Sequence, residues 1–259
     1  MSKNHDTPPM HPASAMDFLP LAQLRDVQFI RLRDMVQRAY DHVALFRQRM
    51  DERKLKPADL RSMDDIVKLP FTVKSDLRDA YPFGLLASPL QDVVRFHASS
   101  GTTGKPIVVG YTREDIQDWT QAMVRSFAAC GVHAGDVIQN AYGYGLFTGG
   151  LGAHYGAEGI GASVVPISGG NTERQIMLMK DFGVTVICCT PSYFLHLMER
   201  AVESGVNLKD LPLRTGVFGA EPWTEGMRER IEAGTAIRAY DIYGLTEIVG
   251  PGVAMECVH

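Results

Sequence analysis

Apolar residues recur at helical spacing between Leu21 and Met50. Leu24, Val27, Ile30, Val36, Ala39, Val43 and Phe46 share one broad face, with arginines and aspartates elsewhere, so the pattern predicts one long amphipathic helix or two in succession. Pro57, Pro70 and Pro82 then punctuate short helical pieces that run to Gly84. Ser62-Met-Asp-Asp and Thr72-Val-Lys-Ser-Asp offer hydroxyl and carboxylate caps for these pieces. Near Val93 the period shortens. Val93–Phe96 and Pro106–Tyr111 read as strands, and Thr112–Cys130 reads as a helix opened by Thr112-x-x-Asp115, an Asp version of the capping box. Further strands are predicted at Asp136–Tyr142, Ser163–Ile167, Val184–Cys189, Thr215–Phe218 and Ile237–Tyr243. Helices are predicted between them at Thr172–Phe182, Pro191–Ser204 and Thr224–Ala233. The stretch from Gly143 to Gly161 carries eight glycines and is read as turns or close backbone approach.

This alternation predicts an α/β fold with a mostly parallel sheet flanked by helices, preceded by a helical subdomain. The expected organisation is a disordered polar leader over 1–18, a helical subdomain over 19–92 and an α/β domain over 93–259 that binds nucleotide and acid. The 259 residues are 45% hydrophobic, enough for one large core or two modest ones. With 22% charged residues and a net charge of −4, nothing points to disorder or to a nucleic-acid partner. No apolar run is long enough to span a membrane, and the N-terminus lacks a signal core. Of the four cysteines, Cys188 and Cys189 adjoin inside an apolar run, which suits buried thiols and a cytoplasmic location. Cys257 and His259 are ligand-type residues, but two ligands do not close a zinc site.

Three segments carry candidate chemistry. His97-Ala-Ser-Ser-Gly-Thr-Thr-Gly-Lys-Pro lies between two predicted strands. Glycines let backbone N–H groups approach an anion, hydroxyls donate hydrogen bonds, and Lys105 adds mobile positive charge, so the segment reads as a phosphate cradle. It is not a Walker loop, because Gly101 and Gly104 stand too close and Pro106 follows the lysine. Tyr243-Gly-Leu-Thr-Glu247 ends a predicted strand. Its Glu247 carboxylate can ligate Mg²⁺ and its Thr246 hydroxyl can bond a phosphate, but the same residues also suit a helix N-cap. Gly219-Ala-Glu-Pro222 leaves room for a flat ligand, or is an ordinary strand-to-helix turn with Thr224 capping the next helix.

Taken in order, these segments resemble the adenylate-forming superfamily of acyl–CoA synthetases, luciferases and peptide-synthetase adenylation domains. Leu24-Arg-Asp-Val-Gln-Phe, Phe71-Thr-Val-Lys-Ser-Asp-Leu-Arg, Gly219-Ala-Glu-Pro-Trp-Thr and Pro251-Gly-Val-Ala-Met-Glu-Cys narrow the resemblance to the phenylacetate–CoA ligase family, from about Leu19 onward. That resemblance implies ATP-dependent conversion of phenylacetate or a related aryl acid to an acyl adenylate and then to its CoA thioester. The partners are then phenylacetate, ATP with Mg²⁺, and CoA as substrate.

The resemblance also assigns residues. Ser99, Ser100, Gly101, Thr102, Thr103, Gly104 and Lys105 form the phosphate loop. Gly219, Ala220, Glu221 and Pro222, with Asp241, Ile242, Tyr243 and Gly244, line the adenine pocket. Thr246 bonds the α-phosphate and Glu247 holds Mg²⁺, so Lys105, Thr246 and Glu247 carry the catalytic roles. Tyr142 and Phe147, with Ala220, border the aryl ring. His133 and His154 read as surface or supporting residues, since the substrate carboxylate itself attacks phosphorus and no side-chain nucleophile is needed. Such ligases continue past the position of His259 with a ribose-binding Asp, a hinge and a mobile C-terminal domain carrying a Lys. The chain as given is therefore expected to be a partial, largely inactive fragment. Activation of another carboxylate, such as an aminobenzoate or a fatty acid, and a non-catalytic nucleotide-binding remnant stay open as alternatives, and a homodimer is left open.

Overall fold

The apolar face that starts at Leu21 is folded into two helices, α1 (Leu21–His42) and α2 (Ala44–Glu52), separated at Val43, whose backbone is extended. The structure is a computed structural model and describes residues 11–99 and 105–258. It divides into two units, Ala15–Ile116 and a larger one that contains Gln117–His259. Pro12–Phe18 forms a 3-10 helix inside the stretch expected to be a disordered leader. The division falls at Ile116/Gln117. The first two strands thus group with the helical segment, whereas the sequence reading starts the α/β domain at Val93.

In the smaller unit, Val36, Met50, Leu55 and Leu60 form a core against which Phe29, Leu32, Phe46 and Leu69 pack. The short pieces after Pro57 are 3-10 turns at Pro57–Asp59 and Met63–Lys68 and one helical turn and a half, α3 (Lys74–Asp79). Carboxylates, not hydroxyls, hold their starts. Asp76 accepts the Val73 N–H at 2.8 Å and takes a bidentate Arg49 pair at 2.6 and 2.7 Å. Asp65 accepts from Arg61 and Ser62 N–H groups, and the Lys68 ammonium, with those bonds, holds its carboxyl down at about 2. Strands β1 (Val93–Ala98) and β2 (Val108–Thr112) pair antiparallel. The box that follows is real: Thr112 N–H donates to Asp115 at 2.7 Å and Asp115 N–H donates to the Thr112 hydroxyl at 3.2 Å, opening α4 (Arg113–Ala129).

The larger unit is built on a sheet of six strands: β3 (Val137–Asn140), β4 (Ser163–Val165), β5 (Val186–Cys189), β6 (Thr215–Gly219), β7 (Arg238–Leu245) and β8 (Gly250–Met255). Their order is β4-β3-β5-β6-β7-β8, parallel throughout except for β8, which returns antiparallel beside β7. Crossover helices are α5 (Thr148–Gly159), α6 (Thr172–Asp181), α7 (Pro191–Glu203) and α8 (Glu225–Gly234). On one face Ile187, Cys189, Phe218 and Ala239 meet Ile176 and Met179 of α6, Phe194 and Leu197 of α7, and Ile231 of α8. The lower edge is fixed by buried Asp136, which accepts from Arg214 at 2.5 Å, the Thr185 hydroxyl at 2.7 Å and the His133 N–H at 2.8 Å.

Helix α5 is not shown by sequence periodicity, since five of its twelve residues are glycine. The reason is contact with α4. A Cβ added at Gly156 would lie 2.5 Å from Met123 Cβ and 2.9 Å from the Phe127 ring, and one at Gly152 would lie 2.6 Å from the Trp119 ring. Gly156→Ala sets two effects against each other. Alanine gains up to about 1 kcal/mol of helix propensity, whereas overpacking a filled core costs about 1–3 kcal/mol. Because the obstacle includes a Cβ that cannot swing away, we expect net destabilisation of about 1–2 kcal/mol, read as a lower urea midpoint with unchanged slope. A rise in midpoint would show that the two helices can part.

Candidate active site

In the larger unit the candidate residues gather at one edge of the sheet, where the parallel strands end. After β3 the chain turns outward to β4, and after β5 it builds in the opposite direction to β6 and β7. The crevice between β3 and β5 is therefore a topological switch point, the place where open α/β sheets bind ligands. Tyr142 follows β3, and its buried hydroxyl donates to the Val217 carbonyl at 3.3 Å. Burial holds its phenol well above the ordinary tyrosine range. The half-exposed Phe147 ring lies 6.5 Å from it, centroid to centroid. Beside them Gly143 and Gly145 face open space: a Cβ on either meets nothing within 4 Å.

The turn after β6 comes close to β7. A Cβ on Gly219 would stand 2.4 Å from the Ile242 carbonyl oxygen, so only glycine fits. Ala220 follows, exposed, with φ at 69°, a left-handed conformation that costs an alanine energy and is found at ligand-facing turns. Glu221 is not directed into the open crevice: its carboxylate accepts the Ser192 N–H at 2.8 Å and so occupies the positive N-terminus of α7. Trp223 donates its indole N–H to Asp241 at 3.0 Å while the Arg228 guanidinium sits 4.5 Å over its ring. The Asp241 N–H in turn donates to Glu256 at 2.8 Å. Thus Glu221 and Asp241 brace the two turns, and Ala220 and the exposed Tyr243 ring offer surface to a ligand.

At the end of β7, Gly244 meets Gly250 so closely that a Cβ would stand 1.9 Å from its carbonyl oxygen. The chain then makes a 3-10 turn, Thr246–Ile248, with Thr246 buried and Glu247 half-buried. Val249, β-branched yet at φ 80°, closes the turn, a strained conformation of the kind that accumulates at functional sites. Ile242 itself is buried, and Pro222 is exposed. Among the described residues, no group of three or more His, Cys, Asp or Glu side chains is placed to hold a metal ion. Cys257 is an exposed free thiol, and His259 lies outside the described residues.

In the smaller unit, Ser99 and Ile107 close the neck of the loop between β1 and β2. Ser99 N–H donates to the Ile107 carbonyl at 2.9 Å, and Ile107 N–H donates to the Ser99 hydroxyl at 3.0 Å. Lys105 is exposed, its ammonium 5.4 Å over the Tyr81 ring. Ser100, Gly101, Thr102, Thr103 and Gly104 lie outside the described residues. Sequence reasoning missed Asn140, Ser192 and Trp223 as organisers of the site. Only Asn140 left a signal, a polar residue closing an apolar strand.

The sequence profile of the AMP-binding enzymes matches residues 43–258. The chain is 54% identical over 243 residues to a phenylacetate-coenzyme A ligase from Pseudomonas putida, covering 94% of this chain and 55% of that protein. It is 51% identical over 243 residues to the enzyme of that name from Thermus thermophilus, with the same shares. The chain thus spans about half the length of the curated relatives it matches. Among solved structures it resembles 2-hydroxyisobutyryl-CoA ligase, in complex with 2-HIB-AMP and CoA, at TM-score 0.89 and 27% identity, covering 98% of this chain and 57% of that one.

The buried Tyr142 phenol makes a pH prediction. Its folded-state pKa is raised above the ordinary value of about 10, so its contribution is fully present below that pH and is lost as pH rises toward the folded value. Tyr142→Phe is expected to flatten part of the fall in thermal midpoint above about pH 10. An alkaline slope identical to that of the parent chain would place the phenol in contact with water.

Proposed function

The chain belongs to the AMP-binding enzyme family, and on that premise we propose that it is the nucleotide- and acid-binding part of a phenylacetate–CoA ligase. The observation that carries the reading is the 51–54% identity to four phenylacetate-coenzyme A ligases over more than nine-tenths of this chain. The reaction is the ATP-dependent activation of phenylacetate or a near aryl acid. A carboxylate oxygen of the acid attacks the α-phosphorus of ATP, a new O–P bond forms, and pyrophosphate leaves. The CoA thiol then attacks the acyl carbon, releasing AMP and forming the thioester. Neither step needs a side-chain nucleophile; the protein orients the groups and offsets charge.

The strand-end geometry supports this division of roles. The exposed turn at Ala220 leaves room for the adenine, with the Tyr243 ring beside it. Tyr142 and Phe147 present aromatic edge and face to an apolar ring. Thr246 bonds the α-phosphate. Thr102, Thr103 and Lys105 carry the charge of the departing phosphates. Mg²⁺ would accompany the nucleotide, with the Glu247 carboxylate as the residue that would hold it. When bound it neutralises phosphate charge. The free thiols fit a cytoplasmic location, and no helix among the described residues is long and apolar enough to cross a membrane.

The test is turnover by a chain that spans the full length of these relatives. Phenylacetate should give AMP and pyrophosphate, and CoA should draw the product on to the thioester. An aminobenzoate, a medium-chain fatty acid and 2-hydroxyisobutyrate should be poor substrates. Lys105→Ala and Glu247→Gln should each lower the adenylation rate by about 10²–10³, with folding unchanged. Preference for one of the other acids would move the chain to a different member of the family. Nucleotide binding without turnover of any acid would make it a non-catalytic binder.

A further inference from the structure

Asn140 ends β3 with no exposed surface, and each hydrogen bond of its carboxamide serves the segment that follows. The carboxamide nitrogen donates to the Gly150 carbonyl at 2.7 Å and to the Tyr144 hydroxyl at 2.8 Å, and its oxygen accepts the Tyr142 N–H at 3.3 Å. The Tyr144 hydroxyl lies 3.2 Å from His154 Nδ1, and His154 Nε2 lies 3.2 Å from the Glu158 carboxylate. With Asn140 donating to it, the Tyr144 hydroxyl has its own proton available to an acceptor at Nδ1, the arrangement formed by the His154 tautomer that carries its proton on Nε2, beside Glu158.

The clamp sits in a glycine-rich segment that runs close against the start of α5, with Gly143 and Tyr144 backbone beside Gly150 and the Phe147 ring beside Gly149. Gly143 and Gly145 flank Tyr144, a Cβ on either would meet nothing within 4 Å, and Leu146 and Phe147 are exposed. Three anchors meet at Tyr144: Asn140 from β3, His154 from α5, and Ser168, whose hydroxyl accepts the Tyr144 N–H at 3.4 Å. We propose that Tyr144 is a positioning residue for the aryl acid: its hydroxyl, held between Asn140 and His154, fixes residues 141–147 and so holds the Phe147 ring against Tyr142 as one wall of the acid pocket. The proposal rests on the aryl-acid reading above. Tyr144 touches no reacting atom in it; it acts through Phe147, so its loss weakens acid binding and spares the nucleotide.

Tyr144→Phe removes one oxygen and keeps the ring, so the fold is retained. In the full-length enzyme the KM for phenylacetate should rise about three- to tenfold, the reach of one net hydrogen bond, with the KM for ATP and kcat within about twofold. His154→Leu should reproduce this effect, and His154→Gln, which keeps an acceptor, should restore most of the affinity. Because Tyr144 works through Phe147, adding Tyr144→Phe to Phe147→Ala should raise the KM for phenylacetate no further. An unchanged KM for phenylacetate, equal rises for both substrates, or additive effects with Phe147→Ala would each overturn the proposal. If the parent enzyme turns over no aryl acid, it is the functional reading that fails. Amide hydrogen exchange on the Tyr144→Phe chain still decides the clamp: faster exchange confined to 141–147 supports it, and unchanged exchange there overturns it.

Discussion

The central strands β5 and β6 expose neither face: every residue of Val186–Cys189 and of Thr215–Gly219 is buried. A parallel sheet demands this, because its strands cannot be joined by tight hairpins and each connection must cross a face, usually as a helix. Here α6, α7 and α8 cover one face, and α5 with the 117–129 part of α4 cover the other. Two-sided burial also explains α5. Five glycines in a helix cost roughly 0.5–1 kcal/mol each relative to alanine. The close approach they permit lets Trp119, Met123 and Phe127 bury against the helix backbone, which offsets that cost.

The same rule aligns the carboxyl ends of β3, β5, β6 and β7 along one edge, and chemistry can be placed there without disturbing the core. The edge is assembled from two kinds of residue. Gly219 and Gly244 let backbone pass backbone, while Glu221, Trp223, Asp241 and Asn140 cross-link the turns. Side chains that would be taken for ligand contacts by type, Glu221 and Asp241, are engaged in holding the turns. The exposed surface at these strand ends comes from Phe147, Ala220 and Tyr243.

Much of this was legible in the residues. The strands of the sheet were marked by short β-branched runs, and the Thr112–Asp115 and Thr224 caps were visible as local chemistry that the structure realises. The three motif segments carried the family. Other features were hidden for physical reasons. Helix α5 has no apolar period, since its buried face is glycine and alanine. The Asn140–Tyr144–His154 clamp joins residues whose proximity depends on how β3, its following loop and α5 pack, and no spacing rule announces that. The break between α1 and α2 at Val43 interrupts a pattern that stays amphipathic across it. Of the hydroxyl and carboxylate caps offered near Ser62 and Thr72, the carboxylates of Asp65 and Asp76 hold the turn starts, with Lys68 and Arg49 paired to them.

The central claim is that the strand-end edge of the larger unit receives an aryl acyl adenylate. The most direct measurement is amide hydrogen exchange on this chain with and without a non-hydrolysable phenylacetyl adenylate mimic, an acyl sulfamoyl adenosine. Protection is expected at 141–147, 219–222 and 241–247, and none at the opposite edge around Asp136 and Arg214. Protection at that opposite edge, or no protection at the strand ends under saturating mimic, would contradict it.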